Sequence, residues 1–179
     1  MKTALVFLAT GFEEVEALTP VDILRRGGVD VKTVSLEEER TVKSKENILV
    51  IADLLFKEVE NNDVDMLILP GGTPRIADYP QLNEKVKKAV LQNKQVGAIC
   101  AAPIVLGRLG LLEGKHATVY PGFEQELQGA KITKEAVVTE GNIITARGPG
   151  SATGFALALL EKLAGKETRD KVAKEFLVD

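Results

Sequence analysis

The feature that most constrains the fold is an alternation of short apolar runs of strand length with segments of helical periodicity. Residues 4–9, Ala-Leu-Val-Phe-Leu-Ala, form a continuous apolar run, which is typical of a parallel strand buried on both faces. Further strands are predicted at residues 29–36, 48–52, 64–69, 95–99 and 117–120. The alternation predicts an α/β fold with a doubly wound, mostly parallel sheet and helices on both of its faces.

The helices are predicted from caps, breakers and apolar spacing. Thr19 before Pro20 is a helix-start signal and Gly27-Gly28 is a stop signal. Residues 13–18 can add a preceding helical turn, kinked or interrupted at Pro20. Further helices are predicted at residues 81–92, 103–109, 152–163 and 168–176, with Gly165 separating the last two.

Two other segments complete the predicted order of elements. Residues 136–139 and 143–146 flank Glu140-Gly141-Asn142, a pattern that predicts a C-terminal hairpin. Residues 37–47 are polar and predict an excursion from the sheet. No repeat or linker divides residues 1–179, so we expect a single domain.

Composition narrows the class of function. The chain has 23 basic and 26 acidic residues for a net charge of −3, and no basic block exceeds a pair, so nucleic acid is not an expected partner. The N-terminal apolar run is too short for a signal sequence or a membrane span, which predicts a cytoplasmic protein without a membrane partner. With one cysteine and one histidine, neither an intrachain disulfide nor a Cys/His zinc cluster can form within one chain.

The single cysteine, Cys100, lies in a sequence typical of a nucleophile elbow. A buried strand ends one residue before it, and Pro103 opens the next helix. Small side chains, Ala98 and Ala102, stand two residues before and after the cysteine, where larger ones would collide in a sharp turn. We expect the following helix to favour the thiolate with its N-terminal amides and dipole. The alternative is an inert cysteine buried as a small apolar residue.

Three other segments fall at the predicted carboxyl edge of the sheet, where α/β proteins bind ligands. Glu16 follows Glu13 and Glu14; the charge pattern alone favours an exposed acidic face, but a carboxyl kept protonated by crowding could hydrogen-bond to Cys100. Gly71-Gly72 forms either a tight turn or a cradle of backbone amides. Residues 147–150, Arg-Gly-Pro-Gly, either hold an anion or connect a strand to a helix capped by Ser151.

Together these motifs closely resemble the ThiJ/PfpI superfamily, in the branch of DJ-one-like and YajL-like proteins. The resemblance runs over essentially the whole chain and rests on five motifs in order: residues 11–16, 19–26, 69–72, 98–103 and 147–150. It implies a flavodoxin-like sandwich, usually a homodimer, in which an oxidation-sensitive Cys100 is hydrogen-bonded to Glu16. It also implies that the backbone amides of Gly72 and of Cys100 or Ala101 stabilise an oxyanion.

The function implied by this resemblance is that of a cysteine enzyme without a cofactor. The expected substrates are small aldehydes: methylglyoxal-type α-oxoaldehydes (a glutathione-independent glyoxalase) or their early glycation adducts (a deglycase). In this interpretation Gly71, Gly72, Ala101, Tyr120 and Arg147 surround the substrate. The alternative is a redox sensor or chaperone that responds to oxidation of Cys100.

Two departures from the superfamily bear on the chemistry. Peptidase-type relatives have histidine after the nucleophile, where this chain has Ala101, so a peptidase or amidotransferase is disfavoured. Some closer relatives have histidine before the proline of the segment after the elbow helix, where this chain has Tyr120-Pro121. Glu16 would then do most of the proton transfer. The one histidine, His116, is interpreted as a surface or structural residue.

Overall fold

The structure is a computed structural model that describes residues 1–178. Its α-helices are α1 Glu14–Arg26, α2 Phe56–Val59, α3 Pro80–Leu91, α4 Pro103–Arg108 and α5 Ala152–Glu175. Its strands are β1 Thr3–Leu8, β2 Asp30–Ser35, β3 Thr41–Lys43, β4 Leu49–Ile51, β5 Leu54–Leu55, β6 Met66–Leu69, β7 Gln95–Ile99, β8 His116–Ala117, β9 Lys131–Ile132, β10 Val137–Glu140 and β11 Ile143–Ala146. Short 3₁₀ turns lie at Pro74–Asp78, Glu124–Glu126 and Pro149–Ser151.

The central sheet has seven strands in the order β10-β11-β7-β6-β1-β2-β5. All neighbours in it are parallel except β10 and β11, which form the predicted C-terminal hairpin. The parallel strands β2-β1-β6-β7-β11 follow the 2-1-3-4-5 order of flavodoxin-like folds. The sheet therefore confirms the predicted doubly wound, flavodoxin-like α/β architecture. The order reverses between β1 and β6, which makes their carboxyl ends the switch point where ligands bind in such folds.

The two faces of the sheet carry separate layers of helices because side chains alternate along each strand. In β1, Val6 and Leu8 belong to a core that also contains buried residues of α1 and α5. Leu5 and Phe7 face the opposite core, which contains residues of α3 and α4. Helices on both faces explain why the β1 run is apolar without interruption.

The first helix begins earlier than predicted. It starts at Glu14 and contains Pro20, whereas Thr19-Pro20 was expected to open it. Pro20 cannot donate a hydrogen bond to the carbonyl of Glu16, but the helix continues because its buried face packs against α5. Glu14 and Glu16 lie in the first turn, where acidic side chains suit the helix dipole. The turn considered before Pro20 is therefore the first part of α1.

The polar segment at residues 37–47 leaves the central sheet as predicted but contains a strand, and one predicted strand is shorter and lies outside the central sheet. The polar excursion contains β3, which pairs with β4 in a small antiparallel hairpin outside the central sheet. The strand predicted at residues 117–120 is only β8, and it pairs with β9 rather than with the central sheet. It ends early because the Thr118 amide bonds to the Thr145 hydroxyl and the Tyr120 amide to the carbonyl of Cys100.

The helix break that the sequence predicts at Gly165 is present. Gly165 has φ +84° and ψ 167°, so the helical segments on either side of it in α5 are distinct. Ser151 makes no side-chain cap at the start of α5, contrary to the capped connection considered for this position. Within residues 1–178 no helix is both long and apolar enough to cross a membrane.

Candidate active site

Cys100 lies at a sharp turn directly after β7. Its φ of +64° is in the left-handed region, which is strained for a residue with a side chain. The turn is fixed from both sides, since the Cys100 amide donates to the carbonyl of Ala146 (2.9 Å) and the Cys100 carbonyl accepts from the Tyr120 amide (2.9 Å). Ala98 and Ala102 are fully buried beside it. The geometry is the elbow that the small flanking residues predict.

Glu16 is brought to this turn by the first helix. Its side chain is completely buried, and Oε2 accepts a hydrogen bond of 2.8 Å from the amide of Gly71. Oε1 has no hydrogen-bond partner among the described residues. A buried carboxyl oxygen without a partner is costly, so this atom is available to a bound molecule or to a proton shared with Cys100.

Gly71 is the point at which Glu16 and Cys100 meet. A Cβ atom built on Gly71 would lie 2.6 Å from the Cys100 Cβ and 2.8 Å from the Glu16 Oε2, inside van der Waals contact with both. It would also lie 2.8 Å from the Ala101 amide nitrogen. Only glycine lets the carboxyl, the thiol and the elbow backbone approach so closely.

Two backbone amides face the sulfur. The backbone N–H groups of Gly72 and Ala101 lower the pKa of the Cys100 thiol, against the larger effect of burial. Gly72 has φ +90°, and a Cβ there would overlap the Glu13 amide nitrogen. Gly71-Gly72 therefore forms a tight turn in which both residues pack closely against neighbouring groups of the site. The amides predicted to bind an oxyanion lie beside the Cys100 sulfur.

Burial is the main influence on the pKa values of Glu16 and Cys100. Burial raises the pKa of Glu16 to about 7, opposed by the hydrogen bond from Gly71 and by the neighbouring Cys100 thiol. The crowding by Glu13 that was expected to raise this pKa is a smaller cause. Burial, and then the Glu16 charge, also raise the pKa of Cys100 to about 12. This contradicts the expected preference for the thiolate; α4 is only six residues long and does not offset burial.

After burial, the Glu16 charge is the next cause that raises the pKa of Cys100, so the titrations of the two groups are coupled. Between about pH 7 and pH 12 the pair holds one proton and one negative charge. The proton lies either on the thiol of Cys100 or on the carboxyl of Glu16. In the second arrangement the thiolate is free to act as a nucleophile, with Glu16 beside it as the acid.

The other predicted residues lie in different surroundings. Tyr120 holds the elbow through its backbone, and its half-exposed ring packs beside Gly148. Arg147 is exposed, and within residues 1–178 its guanidinium has no hydrogen bond or ion pair. Substrate contacts by Tyr120 and Arg147 therefore stay predictions. His116 is exposed and bonds to Glu140 at 3.0 Å, which confirms its interpretation as a surface residue.

One part of the site was not predicted from the sequence. The turn after β3 places Ser44 and Lys45 next to the start of α1, where Ser44 donates to the buried carboxylate of Glu14. The polarity of this segment predicted only a loop. A usable signal was the third carboxyl of the acidic run, because three glutamates within four residues cannot all face solvent on one side of a helix.

Comparison with known proteins places this site in a family. The sequence model of the DJ-1/PfpI family matches residues 2–162. The chain belongs to the DJ-1/PfpI family. A relative in Arabidopsis thaliana, Protein DJ-1 homolog A, is 38% identical over 99% of this chain and 47% of its own length, so the chain spans about half of that protein. A Caenorhabditis elegans relative named Glutathione-independent glyoxalase DJR-1.2 is 33% identical over 97% of this chain and 95% of its own.

Solved structures of the DJ-1/PfpI family share the fold throughout. The crystal structure of Drosophila melanogaster DJ-1beta has a TM-score of 0.95 and 36% identity over 99% of this chain and 98% of that chain. A structure titled Toxoplasma gondii DJ-1, oxidized, has a TM-score of 0.94 and 36% identity with the same coverage. The family resemblance predicted from the five motifs is confirmed.

Replacing Gly71 by alanine should separate the two reactive side chains. The added Cβ forces Cys100 and Glu16 apart, and displacements of about 1 Å at a reacting centre can cost about 10²-fold in rate. We expect the Gly71→Ala protein to fold but to lose at least about tenfold in the rate of Cys100 alkylation at pH 8, measured by intact mass. Gly150→Ala is the control, because a Cβ on Gly150 has nothing within 4 Å. Equal rates in the two variants would contradict this packing.

The raised pKa of Glu16 predicts a dependence of stability on pH. Between pH 4.5 and about 7 the unfolded chain releases the Glu16 proton while the folded chain retains it. The free energy of unfolding therefore falls as pH rises through this window, by about 3 kcal/mol. In Glu16→Gln, urea unfolding should lack this decline, while the amide oxygen still accepts from Gly71. Parallel curves for the two proteins would show that Glu16 titrates normally.

Proposed function

We propose that this chain is a cofactor-free cysteine enzyme that converts small α-oxoaldehydes such as methylglyoxal into 2-hydroxy acids, or acts on their early glycation adducts. The observation that carries the proposal is the buried Glu16 carboxyl packed against the elbow cysteine across Gly71. The name of the Caenorhabditis elegans relative, a glutathione-independent glyoxalase, supports this choice of substrate.

Each group has a role that follows from its position. Cys100 is the nucleophile, because the elbow presents its sulfur at the carboxyl end of β7. Glu16 is the acid and base, because its pKa of about 7 allows it both to give and to accept a proton near neutral pH. The amides of Gly72 and Ala101 lie beside the sulfur and would stabilise an oxyanion that forms on the substrate bound to Cys100.

The first step is addition. With the shared proton on Glu16, the Cys100 thiolate attacks the aldehyde carbon, a carbon–sulfur bond forms, and the carbonyl oxygen takes the proton from Glu16. The product is a hemithioacetal, and Glu16 is left as a carboxylate. No charge has to enter the buried site during this step, because the negative charge moves from sulfur to Glu16.

The second step moves a proton between neighbouring carbons. The Glu16 carboxylate removes the proton from the former aldehyde carbon, and the electron pair forms an enediolate with its negative charge on the former ketone oxygen, which the amides of Gly72 and Ala101 would stabilise. Glu16 returns the proton to the adjacent carbon while the hydroxyl proton of the sulfur-bearing carbon moves to the former ketone oxygen, which gives a thioester of a 2-hydroxy acid on Cys100. Water then cleaves the carbon–sulfur bond and restores the thiol. The net reaction adds one water and needs no external oxidant or reductant.

Turnover is tested by following lactate formed from methylglyoxal over time, since any thiol reversibly traps the aldehyde without making product. We expect lactate from the wild type, none from Cys100→Ser, and a loss of at least about 10²-fold in Glu16→Gln. Glu38→Gln makes the same chemical change on an exposed side chain and should keep full activity. Full activity in Glu16→Gln would remove Glu16 from the mechanism, and no lactate from the wild type would remove this substrate.

A second candidate function is redox sensing, because the groups around Cys100 could also stabilise its oxidised form. One peroxide molecule would convert the Cys100 thiolate to a sulfenate and a second would convert it to a sulfinate, each releasing water. The sulfinate oxygens could accept hydrogen bonds from Glu16 and the amides of Gly72 and Ala101. A related structure at 36% identity is titled as an oxidized form of DJ-1.

The redox candidate is tested by intact mass after mild peroxide treatment. We expect a stable gain of two oxygen atoms that is absent in Cys100→Ser, because Cys100 is the chain's one cysteine. Glu16→Ala should reduce the yield of the two-oxygen form, since its carboxyl can no longer donate to the sulfinate. An unchanged mass in the wild type would count against this function and leave the enzyme proposal untouched.

A further inference from the structure

The β3–β4 hairpin lies outside the central sheet but forms backbone hydrogen bonds to the loop between β1 and α1, which leads to Glu16. The Gly11 amide donates to the carbonyl of Lys43, and the Lys45 amide donates to the carbonyl of Phe12, each at 2.8 Å. Gly11 and Phe12 precede the helix that supplies Glu16. The position of the hairpin is therefore tied to the position of the site.

A buried carboxylate fixes the tip of this hairpin. Glu14 is 9% exposed, and its Oε1 accepts from the Ser44 hydroxyl and, at 3.0 Å, from the Glu46 amide. The Ser44 hydroxyl oxygen in turn accepts from the Ile48 amide at 2.9 Å. Although burial opposes it, these hydrogen bonds lower the pKa of Glu14. An ionised Glu14 therefore holds the turn at residues 44–48 in one conformation.

The turn presents the ammonium of Lys45 to an acidic region. The Lys45 Nζ lies 3.9 Å from Oε2 of Glu13, whose side chain is only 16% exposed. The Glu13 amide donates to the carbonyl of Gly71 at 3.0 Å, which places this pair next to the loop between Glu16 and Cys100. Around this point the charged and titratable groups are mostly acidic; they are Glu13, Glu14, Glu16, Glu46, Cys100 and Lys45.

We propose that Lys45 is a positioning residue of the active site, held by the Glu14–Ser44 contact so that its ammonium balances the negative charge collected around Glu16 and Cys100. Without this cation, the single negative charge of the Cys100–Glu16 pair would form beside the carboxylates of Glu13, Glu14 and Glu46. For turnover the inference rests on the proposed function, because it is the pair's monoanion that starts the reaction. The reactivity of Cys100 alone is sufficient to test it.

The experiment measures the rate of Cys100 alkylation by iodoacetamide against pH in the full chain. Because the chain has one cysteine, the intact mass reports this site alone. In Lys45→Met we expect the profile to move to higher pH by about half a unit, the scale on which one partly exposed charge acts on its neighbours. Lys45→Arg keeps the charge and should restore the wild-type profile.

Lys43→Met is the matched control. Lys43 is an exposed lysine two residues away on the same strand and turn, so the net charge changes equally. It should leave the profile unchanged, whereas an equal shift in Lys43→Met would reduce the effect to net charge and overturn the proposal. In about 1 M salt the profiles of the wild type and Lys45→Met should converge, because the screening length falls to about 3 Å. A difference that survives salt would indicate a change of structure and also overturn it.

Ser44→Ala tests the positioning contact while keeping Lys45. Loss of the Ser44 hydroxyl frees the turn, so the profile should shift in the same direction as in Lys45→Met but by less. No shift in Ser44→Ala would contradict the role of the Glu14–Ser44 contact. These results do not depend on turnover: absence of lactate in the wild type would refute the proposed function, while an unshifted alkylation profile in Lys45→Met would refute this inference.

Discussion

Burial of the Glu16 carboxyl beside a cysteine is the interaction on which the rest of this site depends. A carboxylate removed from water is strongly disfavoured unless a proton or a hydrogen-bond donor compensates it. Here one oxygen accepts a hydrogen bond from the Gly71 amide, and the other has no hydrogen-bond partner within residues 1–178. Burial raises the pKa of Glu16 to about 7 and that of Cys100 to about 12, so near neutral pH the proton of a singly charged pair lies mainly on the thiol. In the proposed function, reactivity therefore comes from transfer of this proton to Glu16 rather than from a strongly acidic thiol.

The fold provides this arrangement because three parallel strands end at one place. The segment after β1 leads into α1 and Glu16, the segment after β6 supplies Gly71 and Gly72, and the turn after β7 supplies Cys100. β1, β6 and β7 are consecutive in the sheet, and the strand order reverses between β1 and β6. Glu16 and Cys100, which are 84 positions apart in the chain, thus meet because the strands before them end side by side. Glycine at 71 and 72 allows the final approach.

Much of the fold was predictable because strands buried on both faces have a simple sequence pattern. The elbow was also predictable, since small residues at 98 and 102 meet a local steric requirement of the turn.

The predictions that were wrong concern features that depend on tertiary contacts. Thr19-Pro20 has the local chemistry of a helix start, but packing against α5 carries the helix through it. The polarity of residues 37–47 gave no sign that Glu14 is buried and holds the turn at Ser44. The pKa of Cys100 depends on the burial of both partners, which no local motif reports.

The most direct test of this account is to follow the Glu16 carboxyl carbon and the Cys100 Cβ by ¹³C nuclear magnetic resonance as pH is varied. The shared-proton arrangement predicts that the Glu16 signal titrates near pH 7 and that the Cys100 signal moves in the same step, with a second step near pH 12. A Glu16 signal that titrates alone near its ordinary value of 4.5, with Cys100 unaffected, would contradict it. The two side chains would then be neighbours without a common proton.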